Sequence, residues 1–177
     1  SDATGSVIEA GAGVTGTAIA SGTLTASDVD AVATQTWSVQ GTPNTTYGAF
    51  TVDASTGQWT YTLDNTKAAT QALNDGETVD LHYTVRVTDD KGATAEQTVT
   101  VTITGTNDDP VLSVGASDSD AEGLTEGDSG LMTSGSLTLV DLDLSDVVGA
   151  SVTSVTTGGT YAGTLPDNAT LLGYLTA

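Results

Sequence analysis

Carboxylates are the chemical resource of this chain. Twenty-three aspartates and glutamates stand against three cations, Lys67, Arg86 and Lys91, for a formal charge of −20. The acids gather in short groups: Asp28 and Asp30 in "SDVD", Asp89-Asp90 in "DDKGA", Asn107-Asp108-Asp109 ahead of Pro110, and Asp141 and Asp143 in "VDLD". Carboxylates at this density repel one another unless something positive sits among them. With so few basic side chains, the economical source is a hard divalent cation taken from solution. A D-x-D pair in an extended segment suits that task, because residues two apart point to the same side.

Other chemistries find little support. Phosphates demand lysine and arginine, so the charge argues against nucleic acid and equally against anionic membrane surfaces. No apolar run reaches the roughly 18 residues of a membrane span. Ser1 begins no signal peptide, so any export signal or anchor is expected outside this sequence. His82 is the single histidine and falls on the polar side of an alternating run. No G-x-S-x-G or other nucleophile context accompanies it. The acids cluster in turns and linkers, not in the paired arrangement of a glycosidase cleft. Trp37 and Trp59 occupy inward positions and read as core, not as sugar platforms. "GAGVTGTAIASG" has the glycines of a phosphate loop without its lysine or its helix. The expected function is therefore non-catalytic. Cysteine is absent, which points to a bacterial surface protein that gains rigidity by means other than disulfides.

The elements that must carry the acids are strands. Threonine and valine dominate, and both are β-branched. Val79, Leu81, Tyr83, Val85 and Val87 alternate with Asp80, His82, Thr84, Arg86 and Thr88, and Val99, Val101 and Ile103 alternate with threonines. Trp59-Tyr61-Leu63, Trp37-Val39 and Phe50-Val52 make three more period-2 runs, with weaker strands near Ser6–Ile8 and Gly22–Thr25. Turns are expected at "DASTGQ" and "DDKGA". One short helix is expected over about Lys67–Leu73, capped by Thr66 or Asn65. Seven short strands in about 100 residues describe an all-β sandwich. Pro110 blocks continuation of the last strand's ladder, which places the acids before it at a boundary.

The chain also repeats itself. "SGTLTASDVD" from Ser21 returns as "SGSLTLVDLD" from Ser134, an offset of 113 residues with six of ten positions identical. "EAGAGV" (9–14) pairs with "EGDSGL" (126–131), the "SV" at 38–39 with that at 151–152, and "TYGAF" (46–50) with "TYAGTL" (160–165). One full repeat, 1–108, is thus followed by the opening part of a second, 109–177, with nothing corresponding to Gln58–Thr104. Either the chain is cut from a longer array, the simpler reading, or another molecule supplies the missing strands.

"VTGTAIASGTLTASDVDA", "YGAFTVDASTGQWTYTLDN" and "QALNDGETVDLHYTVRVTDDKGATAEQTVTVTITGTNDDP" resemble the bacterial VCBS repeat, a cadherin-like module found in tandem in giant type I-secreted surface adhesins, often with RTX repeats. The resemblance covers all of the first repeat and the opening of the second. It implies an Ig/cadherin-like seven-stranded β-sandwich in tandem, with Ca2+ at the joints between repeats. In cadherin-like tandems the ligands come from an early glutamate, an acidic loop before the last strand, the linker, and a D-x-D of the next domain. Here those places are filled by Glu9, by Asp89 with Asp90, by Asn107, Asp108 and Asp109, and by Asp141 and Asp143. Asp28 and Asp30 would serve a joint with a preceding repeat. Glu126, which repeats the E-x-x-x-G pattern of Glu9, is preferred over Glu122 for a following joint. Asp89-Asp90-Lys91-Gly92 reads equally as an ordinary hairpin turn, and the two roles are compatible for Asp89. The linker lacks the first acid of the cadherin D-x-N-D-N pattern, so about one or two ions per joint are expected. The implied role is an extender that holds an adhesin away from the bacterial surface. Its partners are neighbouring repeats, with a filament of identical subunits or a carbohydrate- or protein-binding module as alternatives.

Overall fold

The computed structural model describes residues 1–29, 34–125, 127, 130–160, 163–164 and 166–175. Asp30 and Glu126, and Tyr161, Ala162 and Leu165 of the second-repeat match, lie outside the described residues. The chain divides into two compact units, Ser1–Pro110 with Asp141–Asp146, and Val111–Val140 with Val147–Ala177.

The alternation of the first repeat becomes two facing sheets. β1 (Thr4–Ile8), β2 (Ile19–Thr23), β3 (Gln35–Val39), β4 (Gly48–Val52), β5 (Gln58–Leu63), α1 (Ala68–Gln71), β6 (Thr78–Asp89) and β7 (Thr94–Thr104) follow in order. One sheet runs β1-β7-β6-β3 and the other β2-β5-β4. β1 lies parallel to β7, with Thr4 opposite Thr100. β6 and β7 form a long antiparallel ladder from Thr78 opposite Thr104 to Thr88 opposite Thr94. This is the all-β, seven-stranded sandwich that the period-2 runs describe.

The inward side chains meet between the sheets. Leu81, Tyr83, Val85 and Val87 of β6 are buried, as are Val99, Val101 and Ile103 of β7. Trp59, Tyr61 and Phe50 cover them from the opposite sheet, with the Phe50 ring stacked on Tyr83 at 4.2 Å and on Trp59 at 5.9 Å. Each such side chain contributes roughly 1.5–3 kcal/mol by leaving water. Trp59 also satisfies its indole by donating to Asp2 O at 2.7 Å. Gly22 packs so closely on that indole that a Cβ would fall 2.8 Å from Nε1, which excludes a larger residue. Both tryptophans are core residues, and His82 sits on the outer face with Nδ1 3.1 Å from Thr100 Oγ1.

The helix is shorter than expected and is capped differently. Its N-cap is Lys67, which makes no side-chain capping bond. Asn65 is diverted to bridge both backbone groups of Ala10 at 2.9 Å, and Thr66 bonds the Asp64 carboxylate. A long-range partner thus outcompetes the local capping role.

The second unit contains β8 (Val111–Ser113) paired antiparallel with β9 (Thr138–Val140), and α2 (Asn168–Leu172). Asp167 caps α2 by accepting from Thr170 N at 2.8 Å. Leu112, Leu137, Leu139 and Val152 line an open apolar recess. Among the described residues, no helix is long and apolar enough to cross a membrane.

Candidate metal centre

At one end of the first sandwich, β1 runs out into Glu9. Val7 points inward and Ile8 outward, so Glu9 keeps the inward parity. The result is a carboxylate with no solvent exposure at all. Its backbone N–H extends the pairing with β7 by donating to Thr104 O at 2.9 Å. Glu9 Oε1 accepts from Gln71 Nε2 at 2.9 Å and Oε2 from Thr106 N at 3.3 Å.

The linker is folded against this carboxylate. Thr106 Oγ1 donates to Glu9 O, and Asn107 O accepts from Ala12 N at 2.6 Å. Gly11 allows that approach, because a Cβ there would collide with Asn107 O and Thr106 Oγ1. Asp108 is buried next to them, and its N–H donates to Asp143 Oδ2 at 2.7 Å. Asp143 is itself buried, and its own N–H donates to Asp141 Oδ1. A turn in which Asp146 N donates to Asp143 O then brings in a third aspartate. Carboxylate oxygens of Asp141, Asp143 and Asp146 lie within 4.8 Å of one another. The segment 141–146 belongs to the first unit, so the whole cluster sits in one unit.

The electrostatics of this cluster are adverse. Burial, followed by the charges of Asp108 and Asp143, pushes Glu9 up to about 7, against the downward pull of the Thr106 N–H and the Gln71 amide. Asp108 is likewise raised, first by burial and then by Asp143, Asp141 and Asp109. No basic side chain offsets this. Arg86 pairs with Glu96, Lys91 with Asp90, and Lys67 acts on Asp64. Two buried oxygens, Asp108 Oδ2 and Asp143 Oδ1, have no hydrogen-bond partner. Buried charges persist when paired or when they coordinate metal. A hard cation seeking six to eight oxygens fits this donor set, because both orphaned oxygens are carboxylate oxygens and the Asp143 carboxylate is already oriented through its other oxygen by Asp108 N. Asp141, Asp143 and Asp146 would hold it, with the Glu9 and Asp108 carboxylates near enough to feel the same charge, and the ion would supply the missing positive charge.

The candidate residues divide by place. Glu9, Asp108, Asp141 and Asp143 come together. Asp109 is exposed beside them and raises Asp108 by its charge. Asn107 contributes its backbone carbonyl to Ala12, and its side-chain amide donates to Asp108 O. Asp89 is elsewhere. It ends β6, whose other end, Thr78, pairs with Thr104 next to the linker. Eleven steps of about 3.3 Å along its twelve residues separate the two ends by roughly 36 Å. Asp89 Oδ1 instead accepts from Lys91 N and Ala93 N, both at 2.8 Å, and closes the β6–β7 hairpin. The acidic loop before the last strand is therefore a turn device at the far end, where Asp28 and Asp89 line one recess. Asp146 was not anticipated. The signal for it is the D-x-D-x-x-D spacing from Asp141, but the repeat offset sets Ala33 opposite Asp146, so the first copy carries no counterpart.

Residues 1–105 match the family described as the bacterial cadherin-like domain. Comparison with curated proteins returned no match.

Proposed function

The chain belongs to the bacterial cadherin-like domain family, a family of structural modules, and on that premise we propose that it is a calcium-stiffened extender from a VCBS-type bacterial surface adhesin. Residues 1–108 are read as one complete repeat and 109–177 as the opening of the next. The observation that carries this reading is the pair of buried, partnerless oxygens on Asp108 and Asp143, set in an acidic cluster that lacks a basic residue. Calcium supplies positive charge there. The residues themselves do the mechanical work: Glu9 is rooted in β1, Asp108 in the linker, and Asp143 in the opening of the second repeat. A cation set among all three ties linker and loop to the sandwich. In a low-calcium cytoplasm the cluster keeps its unneutralised carboxylates and is the less stable for it, and extracellular calcium completes it.

The test is calorimetric titration with Ca2+ on residues 1–177, with melts in calcium and in EGTA, repeated on Asp143→Ala. Saturable binding and a raised melting temperature, both lost in the variant, are the expected outcome. Coincident melts and no binding heat would leave the cluster as a solvated turn. A second reading, a filament whose second repeat is completed by strands of a neighbouring molecule, draws support from the exposure of Leu112 and Leu137. It requires calcium-dependent polymers in sedimentation, and a strictly monomeric chain would dismiss it.

A further inference from the structure

We propose that the segment from Gln71 to Glu77 is a metal-independent clamp, in which Gln71 and Asn74 are positioning residues that assemble the acidic cluster before any cation arrives. The proposal rests on the metal-centre reading above and adds what builds that centre.

The segment is anchored from below. Thr70 is fully buried, and Leu73 lies in the hydrophobic core. On either side of Leu73 the chain presents an amide side chain. Gln71 Nε2 donates to the buried Glu9 Oε1. Asn74 Oδ1 accepts twice from one residue, Ser145 N at 3.0 Å and Ser145 Oγ at 2.6 Å. The orientation of the Asn74 amide follows from its other partner. Its Nδ2 donates to Glu77 Oε2 at 2.6 Å, and the same oxygen accepts from Asn74 N. A carboxylate takes only the NH2 end, so the carbonyl end is left to face Ser145. Backbone bonds then join the segment to the linker: Gly76 N donates to Gly105 O, and Gly105 N to Glu77 O at 2.8 Å.

One short stretch therefore holds three separate pieces of the cluster. Glu9 arrives from β1, Gly105 leads into Asp108, and Ser145 lies between Asp143 and Asp146. None of these bonds uses Asp108 Oδ2 or Asp143 Oδ1, so the clamp leaves those two oxygens free for the cation. Ordering the carboxylates in advance removes part of the entropic cost that the ion would otherwise meet. Supporting residues of this kind typically change metal affinity by about 10–100-fold when removed.

The experiment compares the intact chain with Asn74→Ala, Ser145→Ala and the double variant. Calcium affinity is read by calorimetry, and Ser145 amide hydrogen exchange is read in EGTA. The expected result is a protected Ser145 amide without metal that exchanges at least about tenfold faster in Asn74→Ala. Calcium binding should weaken by about tenfold, and the double variant should be no weaker than Asn74→Ala alone. A Ser145 amide that is unprotected in the intact chain, or unchanged in Asn74→Ala, overturns the clamp. So does altered exchange with calcium affinity intact, since the clamp would then not serve the cation. Should Asn74→Ala fail to fold, Ser145→Ala alone decides: weaker calcium binding upholds the clamp and unchanged binding removes it. If the intact chain binds no calcium, the metal-centre reading fails by itself and the exchange data in EGTA still decide the clamp.

Discussion

The same ten-residue motif occurs in both repeats and meets two different fates. In the first repeat Leu24 is 2 % exposed, while its counterpart Leu137 is 51 % exposed. Upstream, Val7 is fully buried and the residue aligned with it through the E-x-x-x-G match, Leu124, is 53 % exposed. Even the strand moves. β2 covers Ile19–Thr23 because β5 pairs with it from Ile19 opposite Thr62 to Thr23 opposite Gln58. The equivalent stretch, 132–136, makes one isolated bridge through Ser136, and the strand forms two residues further on, where Thr138–Val140 finds Val111–Ser113. A period-2 segment thus declares its ability to be a strand, and the available partner chooses its register and its buried side.

The largest test of that comparison exchanges leucine for alanine at the two matched sites. Leu24→Ala should cost roughly 2–5 kcal/mol, lowering the main melt by roughly 10–20 °C. Leu137→Ala should stay within about 0.5 kcal/mol, as exposed substitutions do. Differential scanning calorimetry on both variants checks the contrast. Equal losses would mean that the second motif is covered in solution after all, and the comparison would collapse.

A smaller effect distinguishes the acids of the two regions through pH. Glu9 titrates near 7 in the folded chain instead of its ordinary 4.5. A carboxylate raised in this way contributes stability that is complete below pH 4.5 and is lost as pH rises through 7. Without metal, the first sandwich should therefore melt several degrees lower at pH 8 than at pH 5. The raised Asp108 acts in the same direction. Calcium must displace those protons, so its affinity should climb with pH across the same window. Melts in EGTA and calorimetry at pH 5, 6, 7 and 8 read both trends, and Glu9→Gln should flatten them. A pH-independent apo melt would place Glu9 in solvent.

How much of this was legible depended on how local the determining forces are. The sandwich could be read from residues alone, because alternation such as Leu81-Tyr83-Val85-Val87 encodes its own buried face. Helix capping could not, since Asn65 is claimed by Ala10, 55 residues away. The acid pair Asp141 and Asp143 stood out as D-x-D, yet Gln71 and Asn74 carry no spacing signal. Their partners Glu9 and Ser145 lie 62 and 71 residues distant in the chain. Asp89 shows the converse failure. An acidic pair before a glycine satisfies both a ligand pattern and a hairpin pattern, and the ladder length of β6 places it away from Glu9 and the linker, at the end where Asp28 lies.

The smallest effect belongs to Asp118, the second unit's own organising acid. It accepts from Gly115 N and Thr138 Oγ1 at 2.7 and 2.6 Å, and so joins the end of β8 to the start of β9. Those bonds, the Thr138 hydroxyl first, hold its carboxyl below the ordinary aspartate value. The sign is opposite to that of Glu9. A depressed carboxylate contributes above its unfolded value, and the contribution is lost as pH falls through the folded one. Acidification that tightens the apo cluster around Glu9 should therefore loosen the β8–β9 pair. Asp118→Ala should erase the protected amides of Val111–Ser113 and leave the main melt unmoved, because among the described residues the second unit has only the β8–β9 pair, while the first has seven strands around its core. Proton-resolved NMR from pH 7 down to pH 2 follows both acids in one sample. Parallel titration of Glu9 and Asp118 would mean that the two regions share one electrostatic environment, and the contrast between a buried cluster and a solvated turn would be lost.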